Sequence, residues 1–236
     1  MDLKQVNETL NIYIRPQTFP LALKLCQSKE DLPKKVKMPS KDLGHQITLC
    51  QAIALSRRYG WTIAVGKDDQ CCSAGHVVMG FVDAPTQDQL SLIDPEKRHE
   101  PGKYSFLISS PLDRADFEPD VVCLYVNSAQ AMRLAQAAGM GGGGVSAVPT
   151  GFVDCGDIAA RTVKTDLCQF ILPSGGDRVF GSTQDHEVIF TIPKSKIASM
   201  MQALEDTHKS GFRYPVVTDV RHRPNLPPFL KMPADL

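Results

Sequence analysis

VVCLYVNSAQAMRLAQA, residues 121–137, and EVIFTIPKSKIASMMQA, residues 187–203, align without gaps at an offset of 66 residues. Each begins with about six residues rich in Val, Ile and aromatic side chains, which reads as a strand. A turn containing Asn or Pro follows, and then a helix with Met and Gln-Ala near its end. Two such units, joined to other strand-like runs, predict an α+β fold: a mixed or antiparallel sheet covered by helices.

The rest of the chain fits around this pair. Residues 20–26 read as a short strand, followed by the charged loop SKEDLPKKVKMPSKD, whose Lys34, Lys35 and Lys37 suit a solvated face. ITLCQAIALSRRYGW is the clearest helix. Thr48 and Gln51 have capping-box spacing, Arg57 and Arg58 occupy the last turn, and Gly60 terminates it. A strand over 62–65 precedes CCSAGHVVMGF, which reads as a turn into a short helix with Ser73 as cap. Residues 83–119 read as loops with one strand near 104–108. Gly141–Gly144 follows a helix instead of preceding one, so it reads as a connection and not as a phosphate cradle.

With 236 residues, the chain suits one α+β domain over residues 1–220, divisible into halves 1–118 and 119–220. Residues 221–236, RHRPNLPPFLKMPADL, hold four prolines and form an extended tail. That tail is available to wrap the domain surface or a second subunit in a homo-oligomer.

Hydrophobic residues at 42% and charged residues at 22% are ordinary for a globular protein. A core of this size needs no disulfide staples, since roughly 70% of the unfolded surface becomes buried. Lys+Arg 26 against Asp+Glu 26 gives zero formal charge. That balance argues against nucleic acid or an anionic membrane as partner. The polar start lacks an apolar signal segment, and no apolar run approaches the roughly 18–20 residues of a membrane span. The expected location is the cytoplasm.

The seven cysteines are the chemically informative residues. An odd number without a secretion signal fits a reducing compartment, and no CxxC pair occurs. Cys26 and Cys123 sit in apolar strand-like runs and read as small buried hydrophobes. Cys50 falls at the second position of the Thr48-capped helix. Cys72 immediately precedes Ser73, and Cys155 lies two residues before Asp157, the expected cap of DIAARTV. A helix N-terminus favours a thiolate, the form needed both for metal ligation and for nucleophilic attack. Cys168 completes a four-cysteine set with separations of 22, 83 and 13 residues. Such a set suits an iron–sulfur cluster or structural zinc. Cys71 or Cys72 with His76 offers an alternative zinc step.

Gly175, Gly176 and Arg178 of the GGDR turn could present a guanidinium to a cofactor. No GxSxG or HExxH is present. The leading expectation is a redox or electron-transfer protein with an iron–sulfur cluster and a redox partner protein. The alternatives are a non-catalytic ligand-binding protein with structural thiols, or an enzyme using Cys50 or Cys72 as nucleophile.

LALKLC, LCQAIALSRRYGW, the D-x-x-C-x-x-G of Asp69, Cys72 and Gly75, VVCLYVNSAQAMRLAQA, FVDCGDIAA, GGDRVF and DHEVIFTIP occur in one order. Together they resemble domain-of-unknown-function family 169 of archaea and anaerobic bacteria, over roughly residues 20–211. Cys50, Cys72 and Cys155 match that family's cysteine pattern. The resemblance also implies a further cysteine just before the arginine segment, where this chain has Ser174, so Ser174 competes with Cys168 and Cys71 for the fourth ligand position. It brings no established activity, and an oxygen-poor habitat suits a labile cluster better than zinc.

Overall fold

The computed structural model describes residues 2–82, 86–141, 143–147, 151–216 and 226. Seven strands form one sheet: β1 (Leu21–Cys26), β2 (Ile63–Gly66), β3 (Phe106–Pro111), β4 (Val121–Val126), β5 (Val145–Ala147), β6 (Cys168–Ile171) and β7 (Val188–Pro193). Their order is β2-β3-β1-β4-β7-β6-β5. Every pairing is antiparallel except β5 with β6, so the sheet is mixed and the fold is α+β. The expected tail, residues 221–236, lies outside the described residues apart from Leu226.

Among the described residues, ten α-helices accompany the sheet: α1 (Leu3–Tyr13), α2 (Pro39–Asp42), α3 (Leu49–Tyr59), α4 (Ser73–Met79), α5 (Gln87–Leu92), α6 (Ser128–Met140), α7 (Asp154–Gly156), α8 (Thr162–Thr165), α9 (Gly175–Phe180) and α10 (Ile197–Lys209). A π-helical turn, Asp157–Arg161, joins α7 to α8. Because side chains alternate across a strand, β4 divides its residues between two cores. Val121, Cys123 and Tyr125 join the core under α3, α4 and the π turn. Val122, Leu124 and Val126 join the core under α1, α6 and α10.

The repeated units lie side by side. Strand β4 pairs antiparallel with β7, and α6 packs on α10. Leu124 stands opposite Phe190 in the ladder, and these two residues also correspond at the repeat offset of 66. A local twofold axis through that pair therefore relates the units. Several elements differ from the sequence reading, among them α2 within the charged loop and α9 at the GGDR turn. Helix α1 is present where the polar start gave no sign of it; it buries Val6 and Leu10, with Ile14 just beyond its end. Helix α5 occupies part of a stretch that reads as loop.

Candidate functional site

Helix α3 begins as the capping-box spacing requires. The Gln51 amide donates to Thr48 Oγ1 at 3.1 Å and the Thr48 amide donates to Gln51 Oε1 at 2.9 Å. Gly60 closes the helix in the left-handed region at φ 73°. The turn before α4 is tied to the start of α3. The Ile47 amide donates to the Asp69 carbonyl at 2.8 Å, and the Cys71 amide donates to the Ile47 carbonyl at 3.1 Å. The buried Asp69 carboxylate accepts from the amides of Ser40 and Gly66. Gln70 Oε1 accepts from the Cys72 amide at 2.9 Å. Gly75 leaves room for the Gln70 carboxamide, which a Cβ would strike. Asp69, Cys72 and Gly75 thus form a brace that sets Cys72 beside the start of α3. Cys72 itself is the cap residue and Ser73 the first helical one, a residue earlier than the sequence reading.

Cys155 is held from another direction. Val153 turns the chain at φ 51°, and the Asp154 carboxylate then accepts from the Cys155 amide, the Ser174 amide and Ser174 Oγ at 2.8–3.0 Å. Ser174 Oγ in turn accepts from the Asp177 amide, while Thr183 Oγ1 donates to Asp177 at 2.6 Å. Gly156 packs against the main chain of Lys97, where a Cβ would meet the carbonyl oxygen. Asp157 is not the helix cap; it lies in the π turn and is buried. It accepts from Lys97 Nζ and Arg161 Nε, each at 2.8 Å, and Arg161 also pairs with Asp94 and Glu96. Single π turns inside helices recur at functional sites.

These braces bring Cys50, Cys72 and Cys155 within electrostatic reach of one another and of Asp154 and Asp177. Burial pushes the thiols of Cys50 and Cys155 well up, and the neighbouring carboxylates and sulfurs push further. The helix N-terminus therefore does not make Cys50 a free thiolate, because desolvation outweighs it. Burial also raises both carboxyl groups, Asp177 to about 6. Beneath, the guanidinium of Arg57 from α3 lies 3.9 Å from the ring centre of Tyr125 on β4 and forms a buried pair with Glu187 at 2.9 Å. Tyr125 Oη interacts with the Asp177 carboxyl and opposes the rise of its pKa, while Gln70 Nε2 is buried without a hydrogen-bond partner. Such a donor costs about 1–3 kcal/mol when left unsatisfied.

The other expected residues lie elsewhere. Cys168 is buried on the opposite face of the sheet, where desolvation raises its thiol to about 11. The sheet thus separates it from the other three. Cys71 is exposed. His76 contacts the Gln70 carbonyl through Nε2 at 2.8 Å and packs edge-on against Phe81. Arg178 donates to the Gln184 carbonyl and pairs loosely with the exposed Asp185 at 3.6 Å. Gly175 and Gly176 form the first turn of α9. Among the described residues, no three His, Cys, Asp or Glu side chains are gathered tightly enough to hold one metal ion, and no helix is long and apolar enough to cross a membrane.

Sequence reasoning did not single out Asp154, Asp177, Gln70 or Tyr125. The first two lie inside the FVDCGDIAA and GGDRVF segments, so their signal was at hand; nothing local marks Tyr125. The profile of the uncharacterised ArCR family, domain-of-unknown-function family 169, matches residues 9–203. The chain belongs to this family. Family 169 thus covers both repeated units and all three segments that build the cysteine site. An uncharacterised protein of Methanocaldococcus jannaschii is 22% identical over 229 residues, covering 87% of this chain and 96% of that protein. No solved structure matches the chain.

Proposed function

We propose that this protein holds an iron–sulfur cluster through Cys50, Cys72 and Cys155, with Ser174 or solvent at the fourth position, and passes electrons to a redox partner protein. The observation that carries this reading is the meeting of three cysteines from distant segments among carboxylates, not beside a base. A nucleophilic thiol needs a neighbouring cation or imidazole to hold the thiolate. Here burial, Asp154 and Asp177 all favour the neutral thiol, and His76 is engaged with the Gln70 carbonyl. Metal ligation reverses that balance, because a metal ion deprotonates a coordinating thiol outright. The unpartnered Gln70 Nε2 is a donor of the kind that cluster sulfurs accept.

The test is an absorption spectrum with iron and acid-labile sulfide analysis on protein purified without oxygen. A broad visible charge-transfer band with both elements is expected. Replacing Cys50, Cys72 or Cys155 by Ala should remove the band, whereas Cys168→Ala should leave it intact. Colourless protein free of iron would overturn the proposal and make the thiols structural. Loss of the band on replacing Cys168 would overturn the ligand set.

A further inference from the structure

A cleft of about 680 Å³ lies between α2, the turn after β2, the end of α4 and the start of β3. The volume falls within the roughly 300–1,000 Å³ of small-molecule sites. Lys29, Lys41 and Lys67 line it from three separate segments of the chain, and all three are exposed. Among the described residues none of them forms an ion pair; the paired lysines lie elsewhere, at Lys97, Lys194, Lys196 and Lys209.

Two acidic side chains share the lining, and they are not equivalent. Asp69 is 2% exposed, and its carboxylate is committed to the amides of Ser40 and Gly66 at 2.9 and 3.1 Å. Asp68 is exposed. Three ammoniums against two carboxylates leave the cleft positive in a chain of zero formal charge, which favours an anion over a cation.

The lining is also aromatic. The half-buried Phe106 lies across Gly66, its partner in the β2–β3 ladder, where a Cβ would come within 2.6 Å of the ring. Tyr104, also half-buried, is held edge-on by His99 at 4.7 Å. Rings fixed in this way offer a planar group a surface to stack on. The remaining polar lining accepts. Ser40 Oγ donates to the Asp68 carbonyl and Ser105 Oγ to the Gln27 carbonyl, each at 2.6 Å. With their protons spent, both oxygens are left as acceptors, as is the Asp68 carboxylate. The walls stand without a ligand, since the Gly102 amide donates to the Gly80 carbonyl at 2.9 Å and the Ser105 amide to the Cys26 carbonyl at 2.8 Å.

We infer that this cleft binds a nucleoside phosphate. Its ring stacks on Tyr104 and Phe106, its sugar hydroxyls donate to the serine and Asp68 oxygens, and its phosphate meets the three lysines. A phosphate monoester carries about two negative charges near neutral pH, which suits several ammoniums better than one carboxylate does. An inorganic anion would leave the rings unused, and an uncharged nucleoside would leave the lysines unused. Neither iron nor a thiol enters this inference, so it stands apart from the cluster.

The full chain should be titrated calorimetrically at about 0.15 M salt with adenosine and uridine 5′-monophosphates, with adenosine and inorganic phosphate as comparisons. At least one nucleotide should bind saturably, and about tenfold or more tighter than either comparison. Lys41→Glu combined with Lys67→Glu, both at exposed positions, should weaken that binding by about tenfold or more. Lys4→Glu, on α1 and outside the cleft, should change it by less than about twofold. Phe106→Leu, which keeps a large apolar residue in β3 but removes the ring, should also weaken it and serves as a second variant should the first not fold. No saturable binding of either nucleotide would overturn the inference. So would phosphate or adenosine binding as tightly as the nucleotide, unchanged affinity in a folded cleft variant, or an equal loss in the Lys4 variant.

Discussion

The main chain of Ile47 runs parallel to that of Gln70 as an isolated bridge. Ile47 lies three residues before Cys50 and Gln70 two before Cys72, so this one contact brings the starts of α3 and α4 together and the two thiols within electrostatic reach. It depends on a carboxylate beyond both cysteines. Asp69→Ala would leave the amides of Ser40 and Gly66 without their acceptor. The loss of two hydrogen bonds to a charged group should cost about 2–4 kcal/mol, read from urea unfolding. Maleimide labelling of Cys72 should accelerate more than that of Cys155. An unchanged midpoint together with unchanged labelling would refute the brace.

Two glycines are tested by the same change with different expected costs. At Gly156 an added methyl meets the Lys97 main chain, which has no freedom to retreat, whereas at Gly75 it meets the end of the Gln70 side chain. Gly156→Ala should destabilise by about 2–4 kcal/mol, and Gly75→Ala by less, because the helical preference for Ala offsets part of the overlap. Thermal and urea unfolding of both variants give the order; the reverse order would contradict this packing.

Lys97 and Asp157 form an ion pair with side chains 3% and 5% exposed. Lys97→Met removes the ammonium and leaves Asp157 to Arg161, at an expected cost of about 3–5 kcal/mol. Adding Asp157→Asn should recover part of that loss, and a double variant no better than the single would show the two sites to be uncoupled.

His99 supplies the pH dependence. Burial, followed by the charges of Lys164 and Lys103, lowers its pKa from 6.5 to about 4. The folded state therefore favours neutral imidazole, so this contribution is fully present above pH 6.5 and is lost as pH falls toward 4. The shift corresponds to at most about 3 kcal/mol. His99→Leu should flatten the fall in unfolding free energy across that window; an equally steep fall would assign the effect to other groups.

Local signals were readable wherever local chemistry decides the structure. Thr48, Gln51 and Gly60 mark α3 in sequence and in space alike. The repeated units were visible as an offset, but not the twofold that pairs Leu124 with Phe190, because pairing is a long-range choice. Helix α1 is hard to read from sequence because Leu3, Val6 and Leu10 are a thin apolar stripe among polar neighbours. Cys50, Cys72 and Cys155 stand out in the sequence by their nearness to helix starts, and in the fold their thiols lie within electrostatic reach of one another. Strand alternation places Cys168 on one face of β6, but which face meets α3 depends on the whole sheet. The Asp154–Ser174 contact joins residues 20 positions apart, and no local pattern announces it.

The π turn after Cys155 makes the length of the chain part of the site. It holds one residue more per turn than an α-helix, and the surplus falls between Cys155 and the ion pairs that anchor the following turn. Removing a single residue from Ile158–Ala160 would restore α geometry and rotate Cys155 by about 100° relative to Arg161 and Thr162. A gap of one in this stretch of a relative would thus move its sulfur out of register without changing any cysteine.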